Sequence, residues 1–374
     1  MKLGRYLRYA VLGARILFPT PSQRRYLRAI RDSGLFDRGW YLACYPRMPL
    51  ICRLMPERHY VLVGEAVGLC PSPDFSPRAY LHLNPALAAE GTPPFAHYIA
   101  RGRAEGRTAR DLPSGASAPA MPQIAAAGGV TAPHAVLLHL FYRDQWPAFA
   151  ARLREQPFAF DLFVSLTDDG DPAAEAAIRA QILWDFPAAQ IWSFPNLGRD
   201  ILPFLHIAAS GRLAPYAAVC KLHTKASPHR ADGALWREAL VEGILAPPGR
   251  SASRLAAFAT DPAAGFWVAD GHVCRGPDWI SANGARMAEL AARLGLAPGL
   301  DDLAFAAGSI WWVSQGLLAE LAATGLTAAD FEPEMGQVDG TTAHALERLF
   351  GLLALRRGYH IVQTTALDGR AVAL

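Results

Sequence analysis

Lysine is nearly missing from this chain: only Lys2, Lys221 and Lys225 occur, although Lys and Arg together number 36. A composition that uses arginine wherever charge alone matters makes two lysines four residues apart informative, because an ammonium is a compact point charge and a guanidinium a planar fork. Cysteine is also scarce. Cys44, Cys52, Cys70, Cys220 and Cys274 are odd in number and none stands in a CxxC pair, which argues against a zinc cluster or a disulfide framework and for reduced thiols in a cytosolic protein. No run approaches the roughly 20 apolar residues that span a bilayer. The net charge of +3 is small, and no basic stripe interleaved with aromatics points to nucleic acid. What is abundant is apolar residue, 52% of 374, enough for two folded domains and incompatible with general disorder.

The N-terminal segment, residues 1–32, sets Lys2, Arg5, Arg8 and Arg15 among Leu3, Leu7, Val11, Leu12, Ile16, Leu17 and Phe18. That pattern predicts a basic amphipathic helix, lying on an anionic membrane at the inner face of the cell or packed on its own protein. A cleaved signal peptide fits poorly, since Arg8 and Arg15 interrupt the apolar region.

Residues 33–107 contain a repeat. Phe36, Tyr41, Leu42 and Pro46 return 39 positions later as Phe75, Tyr80, Leu81 and Pro85; His59, Tyr60, Gly64 and Gly68 return 38 positions later as His97, Tyr98, Gly102 and Gly106. Each unit reads as a short aromatic helix, a Pro-rich turn and a second helix closed by glycine, and stacking two such units buries aromatic faces that neither buries alone. His59 and His97 read as core or turn-fixing residues rather than ligands. Residues 108–133, rich in Ala, Pro, Gly and Ser, read as a linker.

From residue 134 to 374 apolar runs alternate with helical patterns, the signature of a mainly parallel sheet with crossover helices. Strands are expected at 135–142, 160–167, 190–195, 216–222, 265–269 and 307–313. Helices are expected near 145–155, 172–184, 201–210, 234–245, 251–259, 315–323 and 342–356. Ligands of such a sheet bind at the carboxyl ends of its strands.

Four polar clusters fall at that rim. Thr167-Asp168-Asp169-Gly170-Asp171 offers carboxylates for ribose hydroxyls or a base edge, or is a turn with a helix cap. Asn196-Leu197-Gly198-Arg199-Asp200 offers close backbone approach and a guanidinium for phosphate, with Asp200 read as a helix cap in preference to catalysis. Alternation along Lys221-Leu222-His223-Thr224-Lys225 places Lys221, His223 and Lys225 on one side of a strand, a cationic row suited to a diphosphate or to a solvated strand end. The acidic stretch from Asp330 to Gly340 precedes a helix with His344, Glu347 and Arg348. A carboxylate there, Asp339 or Glu334, can accept a proton from an acceptor hydroxyl, though Asp339 also suits a plain cap.

The phrases FDLFVSLTD, PNLGRDILPFL, VCKLHTKASPH with the following Trp236-Arg237, AAGSIWWV and DFEPEMGQVDGTTAHALERLFG resemble, in order, the rhamnan synthesis protein F family over roughly residues 134–364. FDRGWYLACYP and HYIARGRAEGR resemble repeats found beside glycosyltransferase domains of bacterial surface-polysaccharide proteins. The resemblance implies assembly of rhamnose-containing polysaccharide or lipopolysaccharide, a nucleotide-activated deoxyhexose as donor and a glycan or lipid-linked acceptor. A broader likeness to inverting glycosyltransferases implies a GT-A-like, Rossmann-type α/β domain behind a small helical repeat domain. By that likeness Asp168 and Asp169 contact the nucleoside and Asp339 or Glu334 is the base. Where such enzymes carry an Asp-x-Asp metal motif, this chain has Lys221, His223 and Lys225. Lysines with Arg199 can neutralise a departing diphosphate, so no cofactor is expected, with His223 as the ligand if a divalent cation is used. A non-catalytic scaffold that binds glycan or other synthesis enzymes is the second reading, and a phosphoryl transferase, lacking an evident nucleophile, the third. The first two part on whether the basic strand and the acidic loop converge.

Overall fold

In the computed structural model, the described residues are 15–45, 48–66, 68–72, 74–109, 119–126, 128–224, 233–280, 283–296, 302–334 and 339–369. They divide into two compact units, one within 1–114 plus 280–286 and the other within 115–279 plus 287–374. Lys225, Pro46 and the amphipathic segment up to residue 14 lie outside the described residues.

In the first unit a short helical stretch at residues 15–17 is followed by the helix Pro21–Ser33. Thr20 and Gln23 form a reciprocal capping box at its start, and Gly34 ends it in the left-handed conformation. The repeated sequence then gives repeated elements. Helix Arg38–Cys44 corresponds to Pro77–Leu83; Pro56–His59, running into a π-helical turn at Tyr60–Gly64, corresponds to Pro94–His97, running into Tyr98–Gly102. Each π turn is fixed by the same bond, Tyr41 Oη to His59 Nδ1 at 2.9 Å and Tyr80 Oη to His97 Nδ1 at 2.8 Å. A side chain at Gly64 would bring its Cβ to 2.5 Å from the Tyr41 hydroxyl, and Gly102 is closed off by Tyr80 in the same way. The glycines are therefore needed for close approach. Tyr41, Tyr60, Phe75, Tyr80 and Phe95 share one core, with Tyr60 packed edge-on against Phe95 at 5.5 Å. Glu65 ties the copies together, accepting from Phe95 N at 2.7 Å and from Tyr26 Oη at 2.8 Å. Burial pushes the Glu65 carboxyl up and the His59 imidazole down, so the histidine is a neutral turn-fixing group.

The second unit is built on a seven-stranded sheet: β1 (His134–Leu140), β2 (Phe160–Thr167), β3 (Gln190–Phe194), β4 (Ala218–His223), β5 (Ala264–Val268), β8 (Trp311–Ser314) and β9 (His360–Gln363). Their order is β3-β2-β1-β4-β8-β5-β9. A small antiparallel pair, β6 (Val273–Arg275) and β7 (Ala304–Ala306), stands apart. All pairings in the large sheet are parallel except those of β8, which runs antiparallel to β4 and β5. The run expected as a strand at 307–313 thus forms one only from Trp311, because Gly308 and Ser309 both take positive φ, 87° and 56°, and turn the chain.

Near-continuous apolar strands such as Ala135 to Leu138 signal a sheet covered on both faces. On one face Val136, Leu138, Leu140, Cys220 and Leu222 meet Trp146, Phe149, Ile178 and Ile182 of helices Trp146–Arg154 and Pro172–Asp185. Helices Ile201–Ala209, Gln315–Ala322 and Thr342–Arg356 pack together, with the first also against β1. Pro203 is tolerated because it sits in the first turn, where its missing N–H has no intrahelical partner. The stretch expected as a linker has no helix or strand among its described residues, yet residues from 119 on are tied to this unit. His206 Nε2 meets Pro122 O at 2.8 Å, and Thr131 N donates to Asp161 at 2.9 Å.

Candidate functional site

Strands β1, β2 and β3 step one way across the sheet and β4 lies on the other side of β1, so the order reverses between β1 and β4. Such a switch point opens a crevice at the carboxyl ends. Here Thr224 closes the end of β4 against the end of β1: its hydroxyl accepts from Phe141 N and Tyr142 N, both at 2.9 Å. Arg237, reaching in from helix Gly233–Leu245, donates to Thr224 O at 2.8 Å and to Gln145 Oε1 at 3.1 Å. Arg143 pairs with Asp169 at 2.8 Å, while its Nη1 is buried without a hydrogen-bond partner among the described residues.

Asp168 and Asp169 form the turn that their spacing suggests, accepting from Gly170 N at 2.9 Å and Asp171 N at 3.2 Å. Asp171 caps helix Pro172–Asp185 through Ala173 N and Ala174 N. Both Asp168 and Asp169 are exposed. Carboxylates fixed in this way beside an arginine remain free on one side to meet a hydroxyl.

Lys221 and His223 do share one side of β4, facing away from Cys220 and Leu222, but neither is solvated. Lys221 is 1% exposed. Its ammonium forms an ion pair with Asp200 and donates to Ser309 O and Oγ, both at 2.9 Å, which uses its three protons. The nitrogen lies 5.3 Å from the centre of the Trp311 ring. Asp200 starts helix Ile201–Ala209 without a side-chain bond to it, so the expected cap is replaced by an ion pair with the neighbouring strand. Burial alone would raise the Asp200 carboxyl; the Lys221 charge, followed by His223, outweighs it and holds the group well below the usual carboxylate range.

His223 meets Gly308 O at 2.7 Å through Nε2. Burial lowers its pKa, against the pull of Asp200, so the ring is neutral at neutral pH. A carbonyl can only accept, which puts the proton on Nε2 and leaves Nδ1 a buried acceptor without a hydrogen-bond partner among the described residues.

From Gly308 the contacts continue towards the acidic loop. Gly308 N donates to Glu347 Oε1 at 2.7 Å; Glu347 Oε2 lies 3.7 Å from Arg348 Nη1, and Arg348 Nη2 lies 3.5 Å from Asp339 Oδ1. Arg348 is itself held by Trp279 O and His344 O, each at 2.7 Å. Burial raises the Glu347 carboxyl, with Arg348 opposing it. Glu334 reaches Arg199 at 3.5 Å, and the Leu197–Pro333 bridge joins their two loops. Glu332 accepts from Thr342 N at 2.8 Å and Thr342 Oγ1 at 3.0 Å, which fixes this carboxylate at the start of helix Thr342–Arg356.

Asp200, Lys221, His223 and Asp339 are thus linked through direct contacts and the Gly308–Glu347–Arg348 relay; Arg199, next to Asp200 in the chain, pairs with Glu334, and Asp168 and Asp169 follow β2, which β1 separates from β4. Asn196 is exposed beside them, while Gly198 at φ 63° has no room for a side chain, since a Cβ would lie 2.6 Å from Phe331. Ser309, Arg143 and the pairing roles of Glu347, Arg348 and Arg237 escaped the sequence reading. A local signal existed in Gly308-Ser309 directly before an apolar strand. Ser309 and Arg199 are the two non-glycine residues with positive φ among those described, and such strain gathers at functional sites. No group of three His, Cys, Asp or Glu side chains able to hold a metal occurs among the described residues.

Residues 124–359 match rhamnan synthesis protein F, and the chain belongs to that family. Two relatives from strains of Xanthomonas campestris pv. campestris, both called uncharacterized protein WxcX, are 40% identical over 174 residues. That stretch is 46% of this chain and 25% of the relative, so the chain spans a minor part of the proteins it matches. No solved structure matches.

Proposed function

We propose that this chain is an inverting glycosyltransferase that moves rhamnose or a related deoxyhexose from a nucleotide-sugar donor to a polysaccharide or lipopolysaccharide intermediate. The supporting observation is the polar relay from Asp200 and Lys221 through Ser309, Gly308, Glu347 and Arg348 to Asp339. A scaffold has no use for opposite charges gathered at the carboxyl ends of a sheet.

In this reading the nucleotide enters the β1–β4 crevice in a GT-A-like manner, with Asp168 and Asp169 on its hydroxyls and Arg143 and Arg237 near its phosphates. The acceptor oxygen forms a bond to the sugar's anomeric carbon as the bond from that carbon to the diphosphate breaks. The proton of the acceptor hydroxyl passes to Asp339 or Glu334, and the electron pair leaves with the diphosphate, whose charge Arg199 and Lys225 offset. Lys221, buried against Asp200, holds the frame of this site instead of the phosphate itself. His223 Nδ1 supplies an acceptor for a donor hydroxyl.

Incubation with a panel of nucleotide sugars, read by mass spectrometry with and without chelator, tests the proposal. Binding and slow hydrolysis of a deoxyhexose donor is the expected result, with activity persisting under chelation. Absence of binding across the panel would favour the scaffold. Loss on chelation, restored by manganese or magnesium, would reject metal-free catalysis and point to His223 as a ligand.

A further inference from the structure

We propose that an arginine-lined cleft in the first unit binds the phosphate headgroups of an anionic lipid bilayer. This is a surface that the transfer chemistry does not use. Arg24, Arg28 and Arg31 stand at i, i+4 and i+7 of helix Pro21–Ser33, on one face of it, and border a cavity of about 590 Å³. Arg58 enters from the other side. The one carboxylate in the lining, Glu57, is met by Arg38 at 3.3 Å, so the cleft presents an excess of positive charge.

The rim is apolar and held in place. Arg58 donates to Ile16 O at 2.9 Å and to Leu17 O at 3.3 Å, and Arg24 donates to Pro19 O at 3.0 Å. The segment between these anchors turns Phe18 outward, 80% exposed, beside Leu17 at 46%. Across the cleft, Leu54 is 59% exposed, and Leu50, four residues earlier on the same one-turn helix, is 73% exposed. Large exposed apolar side chains bordering a cluster of guanidiniums match a bilayer surface, which offers phosphates to the arginines and acyl chains to the apolar groups. Guanidinium forks also pair with phosphate oxygens bidentately. An acidic protein would meet the charges but gain less from the exposed Phe18 and Leu54.

The test is cosedimentation of the full chain with phosphatidylcholine vesicles, with and without phosphatidylglycerol. Binding is expected only to the anionic vesicles. The R28A/R31A variant should lower the partition coefficient roughly 30-fold, the product of two surface arginines. F18S/L54S should lower it as well while leaving the charge unchanged, and circular dichroism checks that both variants fold. If either double variant unfolds, R28A alone should cost about 5-fold. Binding by both double variants equal to that of the unaltered chain overturns the proposal, and loss only on deletion of residues 2–14 would assign membrane contact to that segment. A rise in Tm with inorganic pyrophosphate that R28A/R31A abolishes, without vesicle binding, also overturns it and makes the cleft a site for a soluble phosphate.

Discussion

Replacing Lys221 with Met tests whether this lysine serves the frame or the donor. The methionine fills the volume of the side chain but leaves the Asp200 carboxylate buried with its counter-charge gone, and removes both bonds to Ser309. Breaking a buried pair from one side costs about 3–5 kcal/mol, a large part of the roughly 5–15 kcal/mol that holds a domain together. Removing both charges in K221M/D200N should recover much of that loss, so the two substitutions should couple strongly in a double-mutant cycle. Urea unfolding followed by tryptophan fluorescence reads the effect, with Trp311 next to the altered side chain. Acid supplies an independent check of sign. In the unaltered chain the Asp200 pKa lies below its unfolded value of 3.8, so its contribution is complete above that value and lost as pH falls through the folded one. In K221M burial prevails, the pKa of Asp200 lies above 3.8, and the deficit should shrink as pH falls towards it. A loss below about 1 kcal/mol, the range of an exposed pair, together with a raised donor KM, would refute the frame assignment and return Lys221 to the diphosphate.

Asp339→Asn should leave donor affinity nearly intact while slowing transfer roughly 100-fold or more; full activity would move the base to Glu334 or Glu332, and full activity of all three acid variants would favour the scaffold. Lys225→Ala should raise donor KM and lower turnover together, and an unchanged KM would remove Lys225 from the diphosphate site. His223 and His59 both have pKa values lowered by burial, so their contribution to stability is present above 6.5 and lost as pH falls below it; His223→Gln should flatten the slope of Tm against pH there, and an unchanged slope would show that the ring is not buried neutral. Gly64→Ala should destabilise the first unit by about 1–3 kcal/mol through overpacking against Tyr41, whereas a neutral result in thermal melts would mean that the Tyr41–His59 bond tolerates displacement.

The helices of the sheet unit were legible because their ends are marked and their apolar faces regular, as with Asp171 before Pro172–Asp185. The first strands were legible because both faces are covered and the runs are apolar. Direction was not: the run at 307–313 reads as a strand, but hydrophobic pattern carries no sign of the antiparallel course of Trp311–Ser314. β9, β6 and β7 are too short to stand out, and helix Gly284–Arg293 was missed. In the site, alternation correctly put Lys221 and His223 on one side of β4. It could not show what lies opposite, because Asp200 and Ser309 arrive from other elements, and a lone aspartate before a helix looks like a cap. The Tyr–His bonds of the repeat were likewise hidden, although the equal spacing of their partners was plain.

The place of β8 in the sheet has a consequence for how the chain must be made. β4 and β5 are consecutive strands of the large sheet, yet β8 lies between them. During vectorial synthesis both therefore emerge with an inner edge open, and neither can be closed until Trp311–Ser314 has left the ribosome. An open strand edge is a template for pairing with another chain, and unfinished sheets of this kind are where aggregation begins. The turn just before that strand carries Ser309 to Lys221, so closing the sheet also completes the bonds of the buried ammonium. A polypeptide that ends before Gly308 has the four strands β3-β2-β1-β4 with one edge bare, β5 with neither of its sheet neighbours, and Lys221 short of both bonds to Ser309.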